Sequence, residues 1–249
     1  MTAHLTFNAP NCLKDKIILV TGAGDGIGKA AALTYAELGA EVILLGRTVA
    51  KLEKTYDEIV ALDGKQPGII PLDMKGATPK NYQDMGQMIL DQYGRLDGLL
   101  HNASILGHLS PFTQITPEEF QDVMQINVTA QFSMTQGLYR ALKAAPKASI
   151  VFTTSGVGRA GRAFWGTYSI SKFATEGMMQ VLADEVKNSS IRVNCINPGA
   201  TRTSMRGKAY PAEDPMKLKT PEDIMSTYVY LMADISQDIN GKSLDCQPK

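Results

Sequence analysis

Near the start of the chain stands KIILVTGAGDGIG, residues 16–28. Its first half, Ile17 to Val20, is apolar and largely β-branched, as in a strand buried on both faces. Its second half sets Gly22, Gly24, Gly26 and Gly28 alternately with Ala23, Asp25 and Ile27. An Ala-rich helical pattern, Gly26 to Leu38, follows and ends at Gly39, a natural C-cap. Strand, glycine turn and helix together open a βαβ unit. Such a turn lets the backbone approach a pyrophosphate, and the helix offers it free N–H groups and a dipole. The spacing GxGxxG fails, because a register opened at Gly22 needs glycine where Ile27 stands; GxxxGxG on Gly22, Gly26 and Gly28 fits instead. A tight strand–helix connection without ligand is the competing reading. The placement after a strand and before a helix favours a dinucleotide site.

Further short apolar runs follow: EVILLG (41–46), GIIPLD (68–73), LDGLLH (96–101), ASIVFTT (148–154) and SIRVNCIN (190–197). Each reads as a strand buried on both faces. Helical patterns lie between and after them at Val49–Leu62, Asn81–Tyr93, Pro117–Ala145, Tyr168–Lys187 and Pro221–Met232. Thr116-Pro117-Glu118-Glu119 and Thr220-Pro221-Glu222-Asp223 each give a cap, a first-turn proline and acids at the positive end of a helix dipole. The alternation predicts an α/β fold: one doubly wound Rossmann-type domain spanning 1–249, core about 14–247, with a parallel sheet of about seven strands and helices on both faces. The stretch from Gly199 to Lys219 is the least regular.

The composition excludes more than it names. Among 249 residues, 25 Lys plus Arg balance 25 Asp plus Glu, so no basic excess supports nucleic-acid or anionic-membrane binding. Three scattered cysteines, Cys12, Cys195 and Cys246, form no CxxC pair and fit reduced thiols in a cytoplasmic protein. The first ten residues lack a secretory pattern, and no apolar run approaches membrane-spanning length. His101 and His108 have no clustered partners, so no metal is expected.

Other signals gather at the C-terminal ends of the strands. The second strand ends Gly46-Arg47, with no acid to receive ribose hydroxyls. Arg47 offers a planar fork for a 2′-phosphate, so NADP(H) is favoured over NAD(H); a solvated loop charge is the alternative. Asp73-Met74 ends the third strand, and Asp73 can accept from an adenine amino group. Asn102-Ala103-Ser104 ends the fourth, where small residues leave room for a flat cofactor. Pro198-Gly199-Ala200-Thr201 ends the sixth; its small residues can flank a nicotinamide, and the Thr201 or Thr203 hydroxyl can reach amide or phosphate.

Ser155 follows the fifth strand, and Tyr168 and Lys172 stand one turn apart on a predicted helix. Reduction of a carbonyl by hydride leaves an alkoxide that needs a proton. Tyrosine can supply it, a cation one turn away would lower its pKa, and Ser155 can hold the carbonyl oxygen. A Tyr-x3-Lys pair alone carries little weight; Ser155 upstream and the preceding cofactor signals supply it.

Taken together, Thr21 to Gly28, Asn102-Ala103, Asn127, Ser155, Tyr168-Ser169-Ile170-Ser171-Lys172 and Asn197-Pro198-Gly199 resemble the short-chain dehydrogenase/reductase family over nearly the whole chain. FATEGMMQVLADE (173–185), RVNCINPG (192–199) and KLKTPEDIM (217–225) are similar to its bacterial YciK-like branch. The resemblance implies hydride transfer from nicotinamide C4 and acid–base chemistry by Tyr168. It gives Lys172 the nicotinamide ribose, Ser155 the substrate and Asn127 a water in a proton relay. It also implies a homodimer or homotetramer, with Ala174, Gly177, Met178 and Val181 as an apolar interface face, or else a core face. The chain departs from the family pattern at Ser104, which would tighten the fit beside the ribose. It departs at Asp25, which would repel phosphate, and in a short Pro198–Pro221 lid that implies an open cleft or one completed by a neighbouring subunit.

Arg159 and Arg162 on one side of the cleft, and Arg202 and Arg206 on the other, can attract an anionic carbonyl compound; surface salt bridging is the competing reading. Phe164 and Trp165 give an apolar wall, or pack a lid or an interface. A non-catalytic dinucleotide sensor is the alternative function, and its usual sign, loss of Ser155, Tyr168 or Lys172, is missing.

Overall fold

The computed structural model describes residues 9–248. The absence of a secretory pattern was read mainly from the first eight residues, which lie outside this range. Seven strands form one all-parallel sheet: β1 (Ile17–Thr21), β2 (Glu41–Gly46), β3 (Gly68–Pro71), β4 (Gly98–His101), β5 (Ala148–Thr153), β6 (Ile191–Asn197) and β7 (Ser243–Asp245), in the order β3-β2-β1-β4-β5-β6-β7. The strand order reverses at β1, which pairs with β2 on one side and β4 on the other. Ligands of open α/β sheets bind beyond the strand ends at such a switch point.

Eight α-helices cover the described sheet: α1 (Gly26–Glu37), α2 (Val49–Ala61), α3 (Pro79–Tyr93), α4 (Pro117–Met124), α5 (Ala130–Ala144), α6 (Gly166–Glu185), α7 (Ser204–Ala209) and α8 (Met225–Met232). One apolar core lies between the sheet and α3, α5 and α6; the other lies between the sheet and α1, α2 and α8. Residues such as Leu19 and Val20 alternate between the two cores, so the central strands are apolar throughout. Among the described residues no helix is long and apolar enough to cross a membrane.

Several boundaries differ from the expectations. β3 is half-buried and ends at Pro71, because it is an edge strand with one neighbour. β7 was not singled out at all: Ser-Leu-Asp is short, polar and partly exposed, as the opposite edge permits. α3 begins earlier, at Thr78-Pro79, where Asn81 Oδ1 accepts from the Thr78 N–H at 2.9 Å. The last predicted helix opens as a 3₁₀ turn, Glu222–Ile224, before α8. The irregular 199–219 segment contains α7, capped by Thr203, whose hydroxyl accepts from the Arg206 N–H at 3.1 Å.

The helix expected over 117–145 is interrupted. Gln125–Thr129 forms one π turn between α4 and α5, centred on Asn127. Single π turns recur at functional sites because they push a backbone segment off the regular ladder.

Candidate active site

The glycine turn is built for close approach. Gly22 and Gly26 have φ of +70° and +52°, which side-chain-bearing residues rarely adopt. A Cβ on Gly28 would stand 2.2 Å from the Gly22 carbonyl oxygen, so α1 docks onto the turn only as glycine. The turn is pinned to β2 by Gly22 N–H and Ala23 N–H, both donating to the Leu45 carbonyl at 2.8 and 3.2 Å. Thr21 joins it to β4: its hydroxyl accepts from the Asn102 and Ala103 N–H groups at 2.9 and 3.0 Å and donates to the Leu100 carbonyl at 3.2 Å. Thr21, which no local motif marks as a brace, thus ties the end of β1 to that of β4.

The predicted cofactor residues do gather at one sheet edge. Gly22 lies against Asn102 and Ala103, and Gly26 faces Thr203. Arg47 and Asp73 are exposed at the ends of β2 and β3, and Arg47 has no partner among the described residues. Asp73 Oδ1 accepts from the Lys75 N–H at 3.0 Å. Ala103 and Ser104 are half-buried beside them.

Two residues stand differently. The Met74 side chain is buried in the core, leaving only its backbone to the site. Thr201 is buried and donates inward, 3.3 Å from the Pro198 carbonyl and 3.4 Å from that of Gly199. Asp25 does not stand as a bare repulsive charge: Lys51 Nζ lies 2.5 Å from its Oδ2 and holds the carboxyl below its usual range. These glycines, exposed Arg47 and the free N–H end of α1 fit a phosphate-bearing dinucleotide.

The catalytic candidates converge beyond β5. Ser155 stands close enough to the Tyr168 phenol to lower its pKa. Lys172, one turn further on α6, is almost wholly buried; its Nζ donates to the Thr153 carbonyl at 2.8 Å and lies 5.4 Å from the centre of the Tyr168 ring. Gly158 makes this possible: a Cβ there would stand 2.7 Å from the Lys172 Cβ.

Burial pushes the Tyr168 phenol up to about 12, against a smaller lowering by Ser155, and pushes Lys172 down to about 8. The expected depression of Tyr168 by Lys172 is therefore absent from this form. Removing a phenolate from water outweighs a cation turned onto a backbone carbonyl.

Asn127 is buried, and both of its side-chain polar atoms have protein partners. Its Oδ1 accepts from the Ile105 N–H at 2.8 Å. Its Nδ2 donates to the Ile105 carbonyl at 2.9 Å and to Ser171 Oγ at 3.0 Å. Ser171 in turn donates to the Tyr168 carbonyl at 2.7 Å. The side chain therefore clamps the 105 segment to the catalytic helix.

The arginines are mostly committed to the protein. Arg159 pairs with Asp245 at 2.8 Å and Glu176 at 3.3 Å, and Arg206 pairs with Glu213. Arg202 donates to the carbonyls of Pro215 and Leu218 at 2.8 and 3.2 Å. Salt bridging and loop bracing, not anion capture, describe these three. Arg162 donates to the Tyr210 hydroxyl at 3.0 Å. Trp165 packs between Tyr168 and Tyr210, whereas Phe164 is exposed at a φ of +71°.

Gln247 went unnoticed in the sequence. Its Nε2 donates to the Pro198 and Ala200 carbonyls, both at 2.9 Å, and so fixes the loop expected beside a nicotinamide. No motif surrounds it, so only the fold could show this.

Residues 16–214 match the family model for short chain dehydrogenases. The chain belongs to the short-chain dehydrogenase family. It is 55% identical over 236 residues to the uncharacterized oxidoreductase YciK of Escherichia coli, covering 95% of this chain and 93% of that protein. A short chain dehydrogenase of Shigella flexneri solved with NADP superposes with a TM-score of 0.94 at 54% identity, covering 96% of this chain and all of that one. One from Escherichia coli solved with NADPH has the same TM-score at 53% identity and the same coverage. The family and these relatives make this chain an oxidoreductase of that fold.

Proposed function

We propose that this chain is an NADP(H)-dependent oxidoreductase that interconverts a carbonyl and an alcohol, with Tyr168 as proton donor and acceptor. The observation that carries the reading is the convergence of Ser155 and Lys172 on the Tyr168 ring, with Lys172 Nζ 5.4 Å from its centre, beyond a strand end beside the sheet's switch point. When bound, NADPH supplies the hydride. Gly22, Gly24, Asp25, Gly26, Ile27 and Gly28 cradle the pyrophosphate, and Arg47 receives the 2′-phosphate. Asp73, the Met74 backbone and the Asn102–Ser104 segment border the adenosine half; Pro198, Gly199, Thr201 and Thr203 border the nicotinamide half. The NADP and NADPH bound by the two structural relatives support the cofactor choice.

Ser155 holds the carbonyl oxygen and Tyr168 gives it a proton. A phenol raised to about 12 is protonated at neutral pH, the form that reduction needs. The reverse reaction needs the phenolate, and Lys172, on the same helix face, carries the charge that favours it. Asn127 positions α6 through Ser171.

The reading extends to one domain over 1–249, a cytoplasmic location and a homodimer or homotetramer. On α6, Gly177 and Val181 are exposed and Ala174 and Met178 half-buried, which supports an interface over a core face. Purified protein screened with NADPH against ketones, aldehydes and quinones tests the proposal: it predicts NADPH oxidation by at least one class. Binding of NADPH with no turnover across the panel favours the sensor alternative.

A further inference from the structure

We propose that Trp165 and Tyr210 form a recognition wall that selects planar aromatic carbonyl compounds, aryl ketones or aryl aldehydes, over saturated ones. The inference rests on Tyr168 being the proton donor, because the wall begins at that residue. The Trp165 ring lies 5.8 Å from the Tyr168 ring, tilted by 52°, and 5.9 Å from the Tyr210 ring, tilted by 45°. Three aromatic rings thus run in a row from the reacting phenol to the end of α7. Trp165 and Tyr210 are each half-buried, so neither residue is closed off from solvent.

The row is braced by cations that the wall itself consumes. The Arg206 guanidinium sits 3.8 Å from the centre of the Tyr210 ring, and Glu213 fixes it through two bonds of 2.6 and 2.7 Å. Arg162 holds the Tyr210 hydroxyl at 3.0 Å. Because Glu213 neutralises Arg206, the wall offers π faces more than charge. A bracing cation over one face also keeps the Tyr210 ring from swinging away.

A carbonyl whose oxygen reaches the Tyr168 hydroxyl lays one substituent along this row. An aromatic substituent can meet these rings at the tilted or offset separations of about 4.5–7 Å that aromatic quadrupoles favour. A saturated ring of equal size gains area burial without that directional term. One favourable ring pair corresponds to about a tenfold difference in affinity, from about 1.4 kcal/mol.

Trp165 is the only tryptophan in the chain, so its emission reports occupancy of the wall without needing turnover. Acetophenone and cyclohexyl methyl ketone are titrated into the NADP⁺-loaded protein, with NADP⁺ binding measured separately by calorimetry. Saturable quenching by acetophenone, with an affinity about tenfold above that of the saturated ketone, is expected. Tyr210→Leu should bring the ratio close to one, while Tyr210→Phe keeps the ring and retains it. Equal affinities, no saturable response to either ketone, or a ratio untouched by Tyr210→Leu overturns the wall. Failure of NADP⁺ to bind strikes the proposed function instead. Turnover of both ketones at equal efficiency strikes the wall alone.

Discussion

Replacing Lys172 by Met should make the protein more stable while removing its activity. The ammonium is almost wholly buried, makes one hydrogen bond to the Thr153 carbonyl, and is pushed from 10.5 to about 8 by desolvation. That displacement means the fold disfavours the charged form by about 3 kcal/mol at pH 7. Met fills the stem of the same side chain without a charge. Losing the bond to Thr153 returns about 1–2 kcal/mol, so a net gain of about 1–2 kcal/mol and a Tm rise of roughly 2–8 °C are expected.

The sign of the pH dependence separates this from a generic packing effect. The folded pKa of Lys172 lies below its unfolded value. The destabilisation is therefore full below about 8 and vanishes as pH rises through 10.5. Urea denaturation of cofactor-free wild type and Lys172→Met at several pH values should show the variant's advantage shrinking by about 2 kcal/mol between about pH 8 and 10. A difference independent of pH, or a variant less stable throughout, refutes the argument. Retaining a costly cation at this position is what a chemical role, and not packing, would demand.

Three further outcomes follow from the same geometry. Burial alone lowers His101 to about 3, while its ring stacks on Phe152 and its Nε2 bonds the Thr135 hydroxyl. Stability from this group is full above about pH 6.5 and falls by about 1.4 kcal/mol per pH unit below it; His101→Phe should flatten that slope in acid urea melts. Gly28→Ala should lower NADPH affinity more than tenfold and cost about 1–3 kcal/mol of stability, read by calorimetry and melting, because its Cβ meets the Gly22 carbonyl. Arg47→Ala should weaken NADPH binding about tenfold or more and leave NADH binding unchanged; equal losses for both contradict the 2′-phosphate role.

The residues that could be read in advance share one property: their role follows from local pattern. The apolar runs of β1, β2, β5 and β6 are long because those strands are interior, and the glycine turn must be glycine for steric reasons that a sequence displays. β7 and β3 were missed or overextended because edge strands need neither length nor continuous apolarity. The π turn at Asn127 could not be seen, since it exists to bring one side chain to Ile105 and Ser171, partners distant in sequence.

The same limit governs charge. For Arg159 and Arg206 the sequence left open both substrate capture and salt bridging, and the partners Glu176, Asp245 and Glu213 are visible only in the fold. Conversely, Asp25 looked hostile to phosphate until Lys51 came within reach. The spacing of Tyr168 and Lys172 was legible, but the balance between burial and charge that sets the phenol's pKa was not.

The central claim is that Tyr168 transfers the proton in an NADPH-dependent carbonyl reduction. It is tested most directly by comparing wild type with Tyr168→Phe for NADPH affinity and for turnover of a carbonyl compound that wild type reduces. The account predicts unchanged NADPH affinity with turnover abolished. Turnover surviving in Tyr168→Phe contradicts it.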